Sequence, residues 1–242
     1  MRTHHRLLIA AAIALCATPL PADTPPADAP SPAYSLLIDV PGYNHAGTVV
    51  APMWPLTDWL GASVEDGGEW AIIRRGRQVV YLQLPRSMWT GALPIVPLRT
   101  VAESVGAQVR YHGAGSEIGA QLGHIPVVEL TLEGRRGLAI VHAAPPLVVR
   151  AIIDDVANDR IGIDYLLRVS TLAGEWAKTH EPQFDEAHGF AARWITGVLR
   201  RTDEGWRYAL RCSKVSHTRA ELAVAGIPLE VARQLGMEME DL

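Results

Sequence analysis

The sequence predicts an α+β fold: an antiparallel sheet wrapped around short helices in a two-copy repeat, then a second small α+β domain. Three observations predict it. Short runs with strand-like patterning, divided by glycine-bearing turns, fill the first half. Two apolar stretches there open on a proline and close on a glycine, as short helices do. Ala143-Ala144-Pro145-Pro146 then marks a boundary, and the pattern after it no longer follows the first half.

Composition narrows the function classes. The 242 residues are 48% hydrophobic and 20% charged, with a formal charge of −4. That excludes a collagen-like chain, a disordered acidic tail and a strongly basic nucleic-acid binder. Two cysteines exclude a disulfide scaffold. No apolar run reaches the roughly 18–20 residues that span a bilayer.

The N-terminus predicts export. Arg2 and Arg6, with His4 and His5, precede the apolar run Leu7 to Ala17, and Thr18-Pro19-Leu20-Pro21-Ala22 follows it. This is the order of a secretory signal peptide, read here as residues 1–22. Residues 23–33 form a proline-rich linker. The expected location is periplasmic, cell-surface or extracellular, with no transmembrane segment after signal removal. Cys16 leaves with the signal, so Cys212 becomes the only cysteine, expected to be buried at the end of a strand.

Order is expected from Tyr34, with a first strand over Ser35 to Val40. Pro52 then opens a helix over Met53 to Leu60, and Gly61-Ala62-Ser63-Val64 stops it and starts a strand. Pro97 follows Pro52 by 45 residues, and Gly106-Ala107-Gln108-Val109 follows Pro97 at the distance found in the first copy. In the second copy Leu98, Val101, Ala102 and Val105 make one apolar helix face. After the first helix, Glu69 to Arg75 and Gln78 to Leu84 flank Gly76-Arg77 as a hairpin. After the second, Gln108 to His112 leads through Gly113-Ala114-Gly115 to a strand over Glu117 to Leu122, then to strands over Ile125 to Leu132 and Leu138 to His142.

The run Ile95 to Tyr111 (IVPLRTVAESVGAQVRY) resembles the core of the copper amine oxidase N-terminal-like, or stalk, domain, V-P-L-R-x-x-A-E-x-L-G-A-x-V-x-W. Val105 stands for Leu and Tyr111 for Trp. The first copy keeps Pro52, Leu60, Gly61, Ala62 and Val64 but lacks the Arg and the Ala-Glu pair. The resemblance covers residues 34–143. It implies a small α+β domain, an antiparallel sheet around a helix, common in exported bacterial proteins. It does not imply copper, because in amine oxidases metal and quinone belong to another domain. No catalytic, metal or cofactor-binding residue carries over. The matching motif residues are Pro52, Gly61, Ala62, Pro97, Arg99, Glu103, Gly106 and Ala107, all structural, with Arg99 and Glu103 spaced for an i,i+4 ion pair.

Residues 144–242 are read as a small α+β domain. A helix over Leu147 to Ala157 follows Pro146, and Leu166, Val169, Leu172 and Trp176 give a helical pattern within Ile161 to Thr179. Thr179 to His188 reads as a loop, Gly189 to Arg201 and Trp206 to Ser213 as strands around the turn Thr202 to Gly205. Thr218 and Glu221 form a capping box for a last helix, which Pro228 restarts and Gly236 ends.

Few residues suggest chemistry. His180, Glu181, Asp185, Glu186 and His188 crowd together, but Pro182 and the spacing favour a solvated loop over a metal site. Asp154 and Asp155 are adjacent on a helix and point apart. Gly113 to Gly119 lacks dinucleotide-loop spacing and reads as a hairpin turn that opens no helix. Arg74, Arg75 and Arg77 form a basic patch at a hairpin, read mainly as a solvated tip. Trp54, Trp59, Trp70 and Trp89 lie close in sequence. Core filling is their default reading in a chain with two Phe, and sugar stacking the alternative. Possible ligand contacts are therefore Arg74, Arg75, Arg77 and Trp89. The expected function is non-catalytic binding or scaffolding at the cell envelope, without a cofactor, toward cell-wall polysaccharide or another envelope protein. The alternatives are a small-molecule carrier, with a cavity between helices and the Trp194 and Trp206 strands, and a hydrolase-like activity using Asp154, Asp155, His180 or His188.

Overall fold

The computed structural model describes residues 34–37, 40–85, 88–90, 93–157, 167–184, 191–214 and 216–240. The signal peptide, the linker, Ile38, Asp39, residues 158–166 and His188 lie outside the described residues. The chain is α+β. In order it forms β1 (Ser35–Leu36), β2 (Gly42–His45), β3 (Thr48–Pro52), α1 (Met53–Leu60), β4 (Ser63–Asp66), β5 (Trp70–Arg75), β6 (Gln78–Gln83), β7 (Trp89–Thr90), β8 (Leu93–Pro97), α2 (Leu98–Ser104), β9 (Gln108–His112), α3 (Glu117–Gln121), β10 (Val127–Leu132) and β11 (Arg135–His142). Then follow α4 (Pro146–Ala157), β12 (Arg168–Ala173), β13 (Trp176–Phe184), β14 (Ala191–Thr202), β15 (Gly205–Cys212), β16 (Ser216–His217), α5 (Arg219–Val224), α6 (Leu229–Gln234) and β17 (Glu238–Met239).

Proline and glycine set the limits of the first two helices. Pro52 and Pro97 are the N-cap residues of α1 and α2. Gly61, at φ 64°, caps α1 in the left-handed conformation that glycine adopts without a Cβ clash. Arg99 Nε lies 3.8 Å from Glu103 Oε1 on the exposed side of α2, an ion pair worth a few tenths of a kcal/mol. Beyond this point the two stretches differ. The first continues into the hairpin β5–β6. The second continues through α3, where a strand was expected. Ser116 Oγ accepts the Gly119 N–H and starts that helix, so Gly113 to Gly119 does open a short helix.

Eight strands form one sheet, in the order β7-β8-β3-β2-β11-β10-β9, with β1 beside β11. The order β4-β5-β6 makes a second sheet. One face of each meets at a shared core. Ala51, Val96, Val128, Leu130 and Ala139 come from the large sheet, and Ala71 and Ile73 from the small one. α1 supplies Met53, Leu56 and Leu60, and α2 supplies Leu98, Val101 and Ala102. Burying one such aliphatic side chain contributes about 1.5–3 kcal/mol. The other face of β10 and β11 packs Val127, Leu138 and Ile140 under Tyr34, Leu122 and Ile125.

After α4 the chain builds a meander, β12-β13-β14-β15: β14 and β15 are the two strands expected there, while β12 and β13 stand where a second helix and a loop were expected. Ile161 to Leu166 of that expected helix fall outside the described residues. Strand alternation divides the sheet faces. Ala177, Val169, Leu199 and Trp206 pack against Val149, Ile152 and Val156 of α4. Trp176 and Val198 point the other way, onto Leu222, Ile227, Ala232 and Leu235 around α5 and α6. The capping box at Thr218 and Glu221 is present, and Pro228 is the N-cap of α6.

β11 and β12 meet along a short seam. The Ala143 N–H donates to Val169 O at 2.8 Å. The Val169 N–H donates to His142 Nδ1 at 3.2 Å, and Arg168 Nε donates to Val141 O at 3.0 Å.

Candidate functional site

The small sheet has one face in the core and one in solvent. Register decides which side chain goes where. Ile72 stands opposite Tyr81, Trp70 opposite Gln83 and Arg74 opposite Val79. On the far side Glu65 stands opposite Ile72, and Ser63 opposite Arg74. Directly opposed residues share a face. Val64, Ala71, Ile73, Val80 and Leu82 therefore face inward, where they pack on the shared core. Trp70, Ile72, Val79 and Tyr81 face outward, edged by Ser63, Glu65, Arg74 and Gln83. Tyr81 is 71% exposed and Trp70 43%.

This face is apolar and aromatic at its centre and polar at its margin. Trp70 and Tyr81 are diagonal neighbours, a relation that spaces backbones by about 7–8 Å. Gly67 lies beneath the Trp70 ring: a Cβ at Gly67 would overlap the indole. The Gly67 N–H donates to Trp70 O at 2.9 Å, which closes the loop between β4 and β5. Asp66 Oδ1 accepts the Gly68 N–H at 2.8 Å within the same loop. Arg74 Nη2 approaches Glu65 Oε2 at 3.9 Å across the outer face.

The structure separates the arginines expected as one patch. Arg74 is on the outer face. Arg75 turns inward, to Glu133 Oε1 at 2.7 Å and Val105 O at 3.4 Å. Arg77 sits exposed in the turn. Trp89 is half-buried and donates its Nε1–H to Leu84 O. Core filling fails for Trp54 and Trp70, both exposed, while half-buried Trp59 packs against the core. Tyr81 was missed altogether, although it lies in a hairpin strand two residues from Val79.

Two buried carboxylates hold polar clusters elsewhere. Glu129 on β10 accepts from Arg136 Nε at 2.8 Å and contacts His112 Nε2 at 2.8 Å. Arg136 also stacks on the Tyr34 ring, 4.1 Å from its centroid. Burial pushes the Glu129 carboxyl up, but hydrogen bonds from Arg136 and His112, with the nearby positive charge, outweigh it and hold the pKa below its ordinary value. An open groove of about 280 Å³ beside it is lined by Gln108, Val109, Arg110, Glu129, Thr131 and Arg136. In the meander, Glu181 accepts from Tyr208 Oη at 2.6 Å and from Arg211 Nε and Nη2 at 3.0 and 2.8 Å. Glu181 was expected in a solvated loop. It is instead a buried strand residue, as β13 runs on to Phe184.

Among the described residues, those considered for hydrolysis do not gather. Asp155 on α4 accepts the Trp206 N–H at 2.8 Å, while Asp154 turns to Arg150 at 3.8 Å. His180 has the strand parity of Trp176 and Lys178, so it lies on the opposite sheet face from α4. Burial, with Lys178 and Arg168 close by, pushes its pKa down to about 4. His188, Asp185 and Glu186 lie outside the described residues, as does the Trp194 side chain. Trp206 is packed against α4. Cys212, expected to be buried, is half-buried, with Sγ 3.8 Å from His217 Nε2. Among the described residues no group of three or more His, Cys, Asp or Glu is placed to hold a metal ion.

Compared with protein-family models, with curated proteins and with solved structures, the chain matches none.

Proposed function

We propose that this chain is an exported, non-catalytic binding module of the cell envelope, and that the outer face of β4–β5–β6 is its docking surface for cell-wall polysaccharide. One observation carries the reading: Trp70 and Tyr81 present aromatic rings to solvent from a face whose rim bears Ser63, Glu65, Arg74 and Gln83. Sugar rings have apolar C–H faces and hydroxyl edges. Aromatic rings take the former and polar rims the latter. An amphipathic aromatic side chain suits such a half-wet contact.

The sequence supports the location and the scaffold. Residues 1–22 have the order of a signal peptide, and residues 23–33 that of a tether. Residues 34–143 resemble the stalk domain, with Pro52 and Pro97 each opening a short helix that a glycine follows. In this reading residues 144–242 form a second α+β domain that presents or anchors the first.

The test is a pull-down of the chain, made without residues 1–22, on isolated cell-wall polysaccharide. Retention is expected, and Trp70→Ala with Tyr81→Ala abolishes it. Trp54→Ala, an exposed indole on α1, leaves it intact. Unchanged retention of the double variant overturns the reading.

A further inference from the structure

β6 ends its sheet and, among the described residues, pairs with β5 alone. In an antiparallel ladder, backbone groups alternate between the partner and the open side. The Leu84 N–H donates to Glu69 O at 2.7 Å, so the even-numbered residues Gln78, Val80 and Leu82 face β5. The N–H and C=O groups of Val79, Tyr81 and Gln83 therefore point off the open edge.

Such an edge is a template for another strand, and proteins blunt it with charge. The other long edge strands carry charge: Glu65 and Asp66 on β4, Arg110 on β9, Arg168 on β12, Arg207 and Arg211 on β15. β6 reads Gln-Val-Val-Tyr-Leu-Gln and carries none. Val79 and Gln83 flank Tyr81 at equal spacing, so the open groups are symmetric about Tyr81.

We propose that β6 pairs antiparallel with β6 of a second copy of this chain, across a two-fold axis at Tyr81. In that register Val79 meets Gln83 of the second copy, and Tyr81 meets its own mate. All three outward residues then exchange hydrogen bonds, six in a regular ladder. Outward side chains stay outward, because residues of equal parity face each other. The two small sheets become one of six strands. A two-fold contact uses up the edge that makes it, so the assembly closes. The remaining edges, β4 in each copy, carry Glu65 and Asp66, and like charge stops further growth. An extended segment of another protein is the competing occupant. A self-pairing edge meets its own residues, so any charge there would face its like; the absence of charge on β6 favours a second copy.

The pairing uses backbone groups and the polysaccharide reading uses side chains, so each can fail alone. Sedimentation velocity over a concentration series, without polysaccharide, tests the pairing on the chain made without residues 1–22. A monomer–dimer equilibrium is expected. Tyr81→Lys sets two ammonium groups face to face at a 71% exposed position and weakens the dimer by about tenfold or more. Tyr111→Lys, at an exposed position on β9, leaves the dimer unchanged. Circular dichroism and melting confirm that both variants fold, and the double variant Val79→Lys with Gln83→Lys, which sets ammonium opposite ammonium at both ends of the register, serves in place of a Tyr81→Lys that does not. A wild-type monomer at every concentration overturns the proposal. So does a dimer that survives Tyr81→Lys and the Val79→Lys, Gln83→Lys double variant, or a monomer that instead adds an extended peptide at β6.

Discussion

The Trp70 indole lies across Gly67, so closely that a β-carbon there would overlap the ring. Glycine at position 67 thus sets how the indole lies on the outer face. Gly67→Val is expected to lift the ring while leaving the fold intact, because the atoms that must move are the end of one side chain. If the proposed function holds, polysaccharide retention falls, as expected of the Trp70→Ala, Tyr81→Ala double variant. Near-ultraviolet circular dichroism should change, and the melting temperature should stay close to wild type.

A second glycine acts inside the meander. A Cβ at Gly197 would overlap Thr179 Oγ1, lie 2.8 Å from Tyr208 Cε1 and 3.1 Å from Glu181 Oε1. Gly197→Ala is expected to cost about 3 kcal/mol, as overpacking strains the Glu181 cluster. Thr179→Ala on the same chain should recover part of that loss. Urea denaturation of the two single variants and the double gives the coupling. Strict additivity would place the strain elsewhere.

Glu129→Gln removes the charge that Arg136 faces. Glu129 is 6% exposed at its side chain and Arg136 25%. The expected destabilisation is about 3 kcal/mol, because an arginine is left without its counter-charge. Changing Glu129 and Arg136 together to methionine should cost less than the two single changes summed. Equal costs would mean that the pair acts through packing alone.

His142 makes stability depend on pH. Burial, with Arg168 nearby, holds its pKa at about 3 against an ordinary 6.5. Above pH 6.5 the group is neutral in both states, and its contribution is complete. As pH falls below 6.5 the unfolded chain binds a proton that the folded chain refuses, so stability drops until about pH 3. The loss is about 1.5 kcal/mol between pH 6.5 and 5. His180, with its pKa also pushed down, acts in the same direction. His142→Asn keeps an acceptor for the Val169 N–H and does not titrate. Its stability, measured by urea denaturation, should vary less over that range. An unchanged slope would exclude His142 as the source.

Local signals made α1 and α2 legible, because proline and glycine act on the backbone directly. The capping box at Thr218 was legible for the same reason. β12 and β13 were not. Both faces of their sheet are buried, so Trp176 and Ala177 are both apolar although they point apart. That removes the period-two contrast, and Val169, Leu172 and Trp176 then imitate a helix. The short helix α3 was missed because its Ser116 cap follows a glycine pair that reads as a turn. The candidate site suffered in the same way. Trp70-Ala71-Ile72-Ile73 is apolar on both faces, and only the pairing with β6 shows that Trp70 points outward. The buried roles of Glu129 and Glu181 depend on Arg136, Arg211 and Tyr208, partners brought close by strand pairing rather than by motif spacing.

The seam between β11 and β12 has a mechanical consequence. The chain runs from His142 through Pro145 and Pro146 into α4, and later returns β12 to the same place. Producing the chain as two pieces, split between Ala144 and Pro145, would sever the link along the chain there. The hydrogen bonds from Ala143, Val169 and Arg168 would still bridge the nick. The two pieces would hold together most firmly near neutral pH, and protonation of His142 would remove the acceptor of the Val169 N–H from the seam.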